Sequence, residues 1–332
     1  MRKRKDNISD QTKHISNEAK GRKNSKEKPS SICLIGVSDK KPSDMILLEG
    51  AKKMFKSVLF IPISSIRLIS ESGKIFVKYR QTDLSKFDSI LIRVPESKYK
   101  TAKTILDNIP EHVFKVQNAA SFVITSDRLL LCQKLAKAGI NVPKVCFADS
   151  AEAASRSFSE LRFPILVRVP FDKEKLMLAR NKNEAKAMMD TLESLNQSIF
   201  LEEYYTDVEL LQVFVVGGKI IGTLKRKTTD IGYRKGTVSS ANPSGRIKRT
   251  AKHACKVIEA DFARIDILNL PDPVVVDVSI SPLLDTFAKF SKNRIGERIF
   301  ERISYLNHVK KGGAISKFME ELKLTMEDIL GL

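Results

Sequence analysis

The stretch Arg264-Ile265-Asp266-Ile267-Leu268-Asn269-Leu270-Pro271-Asp272-Pro273-Val274-Val275-Val276-Asp277-Val278-Ser279-Ile280 sets two β-rich runs on either side of a Pro-Asp-Pro break, the pattern of a hairpin. Pairing Asn269 with Val274 places Asp266 opposite Asp277 and Arg264 opposite Ser279. One face then carries Ile265, Ile267, Val276, Val278 and Ile280 and belongs to a core; the other gathers Arg264, Asp266, Asp277 and Ser279. Opposed side chains in a sheet have Cβ atoms roughly 5 Å apart, and like charges there repel. Two facing aspartates are tolerable on a wet strand face where Arg264 or nearby lysines lean on them, or where a hard cation binds between them, since Mg²⁺ prefers oxygen ligands and takes one or two carboxylates. Spacing alone leaves both open.

Outward from this hairpin, apolar runs and helical stripes alternate. Ile32 to Val37 reads as a buried strand opening a βα unit, followed by a helix capped near Ser43 or Asp44 with Ile46, Leu47, Ala51, Met54 and Phe55 on one stripe. Val58 to Ile61, Ile75 to Val77 and Ile90 to Val94 read as further strands, and Glu96 to Asn108 as a helix. Strands alternating with helices imply a mostly parallel sheet. Ser126-Asp127 makes a helix start and Gly139 its C-terminal cap. Short strands at Val145 to Ala148, Ile165 to Val169 and Ile199 to Leu201 follow, with a helix over Asn183 to Leu195. Leu210 to Val216 and Lys219 to Leu224 join at Gly217-Gly218, a hairpin signal. The Ile295, Ile299, Ile303 and Leu306 stripe is core packing. The pattern predicts an α/β protein with a tail over 1–30, an N-terminal α/β domain over 31–120, and two further subdomains over 121–205 and 206–332.

The composition narrows the function classes. The 332 residues are 42% hydrophobic and 29% charged, with a net charge of +19. Residues 1–30 carry ten Lys and Arg against four Asp and Glu; the remaining chain is basic in its own right, which suits an anionic partner. The tail lacks apolar periodicity and is expected to be disordered. No run of about 18 apolar residues suggests a membrane span, no apolar segment near the start suggests secretion, and the four cysteines form no CxxC pair. A cytoplasmic protein with reduced thiols is expected. An RNA-binding role would draw on Lys225-Arg226-Lys227, but tryptophan is absent and aromatics are 7%, too few for stacking platforms. His14 lies in the tail, and His112, His253 and His308 read as helix-face or loop residues.

An ordered series of motifs resembles the RimK-type ATP-grasp ligases, over about Ser31 to Leu306. Ser126-Asp127-Arg128-Leu129 followed by Leu135-Ala136-Lys137-Ala138-Gly139-Ile140-Asn141-Val142-Pro143 is similar to that family's opening helix, and Phe163-Pro164-Ile165-Leu166-Val167-Arg168 to its first phosphate-contacting strand. Leu201-Glu202-Glu203-Tyr204-Tyr205 resembles the hinge that recognises adenine, and Phe214 to Ile221 the central hairpin. Asp277-Val278-Ser279-Ile280-Ser281-Pro282 resembles the metal-binding signature. The resemblance implies an ATP-grasp fold, with an N-terminal parallel α/β lobe and two α+β lobes clasping a nucleotide. It implies an ADP-forming carbon–nitrogen ligase that makes an acyl phosphate and adds glutamate or another amino acid to a protein or cofactor. ATP and Mg²⁺ (or Mn²⁺) would be the cofactors. Arg128, Arg168, Glu202, Glu203, Tyr204 and Tyr205 would bind ATP; Asp266, Asp277 and Ser279 the metal; Arg226 and Arg234 would serve catalysis; Lys227, or Arg226, would hold the acceptor carboxylate. A membrane is not expected as a partner, nor is nucleic acid; a homo-oligomer is left open.

Several positions depart from the family pattern. Arg128 and Arg168 stand where lysine is usual, Asp277 where glutamate is, Ser279 where asparagine is. Val169 to Lys175 replaces a glycine-rich loop, Leu210-Leu211-Gln212 an Asp-x-Arg element, and Gly236 an asparagine of the loop beyond Arg234. The alternative is therefore a degenerate relative that binds nucleotide without ligation.

Overall fold

The apolar run Ile32 to Ile35 is the buried centre of β1 (Ser31–Gly36). The computed structural model describes residues 31–169, 175–228, 230–233, 235–290, 294–313 and 324, so the basic tail and all of 170–174 fall outside it. After β1 the chain enters α1 (Pro42–Met54), where proline in the first turn forfeits no hydrogen bond and the Asp44 carboxylate accepts the Lys41 backbone N–H at 2.8 Å. β2 (Ser57–Pro62) returns parallel to β1.

The next segment departs from expectation. Ile75 to Val77 lies in β4 (Lys74–Tyr79), which pairs antiparallel with β3 (Ile66–Glu71) and with β5 (Thr82–Asp83), in a sheet separate from the parallel one. The cause is local. Ser72 and Gly73 both adopt positive φ, 50° and 73°, the geometry of a two-residue turn that folds β3 directly onto β4. The parallel sheet instead continues through β6 (Ser89–Ile92), α2 (Tyr99–Asp107) and β7 (Phe114–Lys115), in the order β2-β1-β6-β7.

Two helices, α3 (Ala119–Ser126) and α4 (Arg128–Lys137), lead to a second sheet. Asp127 caps α4 by accepting the Leu130 N–H at 3.0 Å, and Gly139 takes φ +75° just beyond its end. The second sheet, all antiparallel, comprises β8 (Val145–Ala148), β9 (Ile165–Arg168), β10 (Leu176–Ala179) and β11 (Ile199–Glu203) in the order β10-β9-β11-β8. Its core packs Ile165, Val167 and Leu201 with residues of α5 (Ala151–Ser155) and α6 (Lys182–Ser194).

The third sheet, also antiparallel, runs β14-β13-β12-β15-β16: β12 (Glu209–Val216), β13 (Lys219–Thr228), β14 (Gly236–Ser240), then, after α7 (Gly245–Val257), β15 (Phe262–Leu268) and β16 (Val274–Ser279). Gly217 and Gly218, at φ 50° and 74°, make the tight turn read from the sequence. Gly236 opens a strand, and a Cβ there would stand 1.9 Å from the Lys227 carbonyl oxygen, so only glycine fits. The chain then forms α8 (Asp285–Phe290) and α9 (Ile295–Lys311).

The first and third sheets share their cores. Ile90 and Ile92 pack in one cluster with Ile265, Val278 and Ile280, and Ile32 and Leu47 in another with Phe262, Ile299 and Ile303. Polar ties cross the same boundary. Arg93 pairs with Asp44 at 2.6 Å and donates to the Pro282 carbonyl, while the Gln117 amide donates to the carbonyls of Ile92 and Ile280. Helices α1 and α9 cross backbone against backbone at Gly50 and Gly296. A Cβ on Gly296 would lie 2.4 Å from the Ile46 carbonyl oxygen, and one on Gly50 2.4 Å from the Gly296 carbonyl carbon. Gly296→Ala therefore forces the helices apart and is expected to cost about 1–3 kcal/mol, measurable as a lowered denaturant midpoint. An unchanged midpoint would show that the crossing tolerates a wider spacing.

Candidate functional site

In the β15–β16 hairpin Asp266 stands opposite Asp277 and Arg264 opposite Ser279, as the sequence predicts. The turn end differs. A bulge between Asp266 and Ile267 pairs Ile267 with Val275 and Leu268, not Asn269, with Val274. The bulge inserts one extra residue and turns side chains over. Val275 joins the core with Ile265 and Ile267, and Val276, expected there, packs instead with Leu268 and Val274.

The polar face is tightly tied. Arg264 grips Asp266 with both arms, Nε to Oδ1 at 2.7 Å and a terminal nitrogen to Oδ2 at 2.9 Å, and its charge lies 3.9 Å from Asp277. Gln212, opposite Asp266 on β12, places its amide nitrogen 3.5 Å from both carboxylate oxygens. Burial pushes the Asp266 carboxyl above the usual aspartate range; Arg264 opposes that shift and Asp277 adds to it. As arranged, the trio Asp266, Asp277 and Ser279 does not fit Mg²⁺ or Mn²⁺, because a guanidinium already chelates the central carboxylate where the cation would have to sit. Among the described residues no three His, Cys, Asp or Glu side chains gather as a metal site. Arg264 thus neutralises the facing aspartates from within the hairpin.

A second charged cluster forms where α4 meets the second sheet. Asp127 fixes the start of α4, so Arg128 leaves the first turn directly toward β11. Its Nε and a terminal nitrogen meet the two oxygens of Glu202 at 3.0 and 2.7 Å, and Arg168, at the end of β9, adds its Nε at 2.8 Å. The Glu202 side chain is 2% exposed and those of the arginines 12% and 15%. Burial works to raise the Glu202 carboxyl, but the two guanidiniums hold it below the ordinary glutamate value. Asp277 acts electrostatically on Arg128 as well, so the two charged clusters lie within reach of each other's fields. Glu203, the next residue along the strand, is turned away and accepts the Arg162 backbone N–H at 2.9 Å.

Beyond β11, Tyr204 and Tyr205 are held by a side chain the sequence did not single out. The Tyr233 hydroxyl accepts the Tyr205 N–H and donates to the Tyr205 carbonyl, both at 3.0 Å. Its ring lies 5.0 Å from that of Tyr204, tilted by 31°, and packs with Leu210, Leu268, Val274 and Val276. Arg226, on β13, donates to the Gln212 side chain at 3.3 Å, while its buried Nε has no partner. Lys227 is exposed and, as the next residue on the strand, points to the opposite face; it is not brought to the site. Arg234 lies outside the described residues.

Residues 125–303, more than half of the chain, match the model of the RimK-like ATP-grasp domain. The chain belongs to the RimK-like ATP-grasp family. It is 24% identical over 280 residues to a protein of Thioalkalivibrio sulfidiphilus named a probable alpha-L-glutamate ligase, covering 81% of this chain and 93% of that one. A Vibrio cholerae protein of the same name is 23% identical over 269 residues, covering 77% and 89%. Among solved structures, the ATP-grasp ligase PsnB complexed with its minimal precursor superposes at a TM-score of 0.67 with 14% identity, covering 84% of this chain and 99% of that one. The D-alanine–D-alanine ligase of Bacillus anthracis complexed with ATP superposes at 0.60 with 17% identity, covering 86% and 99%. The fold is the ATP-grasp fold.

Sequence reasoning missed Tyr233 because a tyrosine in the polar segment between two strands carries no pattern. It placed Gln212 only as a departure from a motif, because no local spacing shows that β12 lies beside β15 with Gln212 opposite Asp266.

Removing the Glu202 carboxylate leaves two buried guanidiniums facing each other. Glu202→Gln is expected to cost about 3–5 kcal/mol at neutral pH by chemical denaturation. A depressed folded-state pKa stabilises above the unfolded value and is lost as pH falls through the folded one. The deficit should accordingly persist at pH 6 and narrow only below about pH 4.3, the unfolded glutamate value. A variant as stable as the parent at pH 7 would show that the cluster is loosely hydrated.

Proposed function

We propose that the protein is an ATP-dependent carboxylate–amine ligase that adds glutamate or another amino acid to a protein or cofactor carboxylate through an acyl phosphate. The observation that supports this most is the buried pair of guanidiniums on Glu202. Two cations share one anion, so a positive charge is left over in a largely dry cleft, an arrangement that favours a phosphate group. Arg226, with its unpartnered Nε, is the residue assigned to the acceptor carboxylate or the transferring phosphoryl group, in place of Lys227. Tyr204 and Tyr205 supply the base edge, and Arg234 keeps its assignment in catalysis. The lobes divide at 31–120, 121–205 and 206–332 in this proposal. The relatives' names point to glutamate as the amine, and the complex of PsnB with a precursor peptide extends the class to peptide acceptors.

A second reading, nucleotide binding without ligation, is favoured by the Arg264 chelation of Asp266. A divalent cation at that hairpin requires the Arg264 side chain to swing out, which leaves a buried guanidinium to be solvated elsewhere. Calorimetry with ATP, in Mg²⁺ and in EDTA, followed by phosphate release across a panel of amino acids, separates the two. The ligase binds ATP and releases phosphate with one amino acid or a small set; binding without release with any of them supports the second reading; no binding in either buffer defeats both.

Arg168→Ala is expected to weaken ATP binding by about 1.5–3 kcal/mol, since a charge-assisted contact is lost. Apo stability should change little, because Arg128 still grips both oxygens of Glu202. Arg168→Lys should retain much of the affinity. Titration of ATP into the two variants checks this, and an unchanged affinity for Arg168→Ala would remove the residue from the site.

A further inference from the structure

Tyr233 stands in the cleft in an unusual way. It is 9% exposed, and it adopts φ +55°, a left-handed backbone conformation that is uncommon and strained for a bulky aromatic residue. What holds it there is a set of contacts that a purine base would make. Its hydroxyl satisfies both the N–H and the carbonyl of Tyr205 at 3.0 Å each. The exposed edge of an adenine offers the same adjacent acceptor and donor, a ring nitrogen beside an amino group. Its ring lies against Tyr204 and packs among Leu210, Leu268, Val274 and Val276, an apolar cluster on the strands that carry Asp266 and Asp277. Burial drives the phenol pKa upward, so the hydroxyl stays a donor as well as an acceptor over the physiological range.

We infer that Tyr233 is a built-in occupant of the base slot, and that nucleotide binding displaces it. The inference rests on the nucleotide reading above and adds a control to it. With Tyr233 seated, the hinge backbone of Tyr205 has no edge to offer a base, while the guanidiniums of Arg128 and Arg168 remain in place for phosphate. The strained backbone at Tyr233 offsets part of what its contacts contribute, which narrows the gap between the seated and released states that a ligand has to overcome. The apparent affinity for ATP is then the intrinsic affinity reduced by the fraction of molecules in which the slot is open.

The test compares ATP with inorganic tripolyphosphate by calorimetry on the full chain, using the parent, Tyr233→Ala and Tyr233→Phe. An open slot predicts that Tyr233→Ala binds ATP at least about tenfold tighter than the parent, with tripolyphosphate affinity within about twofold. Tyr233→Phe, which keeps the ring and loses only the hydroxyl, should gain a smaller factor in ATP and nothing in tripolyphosphate; it also keeps the test alive should the alanine variant fold poorly. Equal or weaker ATP binding in the variants, with tripolyphosphate binding retained, overturns the inference and makes Tyr233 a wall of the slot. If tripolyphosphate binds but no form binds ATP, the nucleotide reading itself fails, and this inference with it.

Discussion

Glu202 is the constraint around which the cleft is arranged. A carboxylate with 2% exposure is costly to bury alone, so the chain must deliver cations to it from two directions. Arg128 comes from the first residue of α4, whose orientation depends on the Asp127 cap; Arg168 comes from the end of β9, whose register on β11 sets Arg168 opposite Phe200, two residues before Glu202. If the cap or the register slipped by one residue, one of the two guanidiniums would leave the face and Glu202 would keep only the other. The helix, the two strands and the hinge that follows Glu202 are thereby fixed relative to one another by a single side chain.

The same logic operates on the third sheet. There Asp266 is the buried anion, and Arg264, two residues earlier on the same strand, reaches it because alternate residues share a face. The bulge after Asp266 makes room for this. It rotates Val276 out of the core and onto the face beside Leu268, which closes the apolar slot that Tyr233 fills. Charged row and apolar slot are thus consecutive stretches of two strands, and a nucleotide lying along them would place base and phosphates in the order that the strands dictate.

The broad architecture was legible in the sequence because it rests on patterns with a physical period. The hairpin's Asp266–Asp277 pairing, the Gly217-Gly218 turn, the Asp127 cap and the apolar stripe of α9 are each written in local spacing, and each is observed. What escaped depended on events that spacing does not encode. A bulge shifts register without a sequence mark, so the turn end of the hairpin was misplaced. The meander of β3 to β5 turns on the left-handed backbone of Ser72, where serine gives little warning. Lys227 and Arg226 look alike as a basic pair, but strand alternation sends them to opposite faces. The pairing of Arg128 and Arg168 with Glu202 was hidden for another reason: the motif resemblance assigned all three to a nucleotide, and so left no occasion to pair them with one another.

That last point bears on how the cleft works. Arg128, Arg168, Arg226 and Arg264 stand against Glu202, Asp266 and Asp277, so the described charges nearly cancel, with one cation to spare. A polyphosphate carries more negative charge than one spare cation offsets. Its binding must therefore either bring cations with it or loosen the existing pairs, releasing guanidinium charge from Glu202 and Asp266 toward the ligand. In a low-dielectric cleft neither change is local, because each carboxylate left behind raises the cost for its neighbours. Neutralised charge at one end and a seated tyrosine at the other give the cleft a self-satisfied resting arrangement, and the ligand that opens it has to supply both a base edge and compensating charge at once. Specificity then comes from the pairs that must be broken as much as from the contacts that are made.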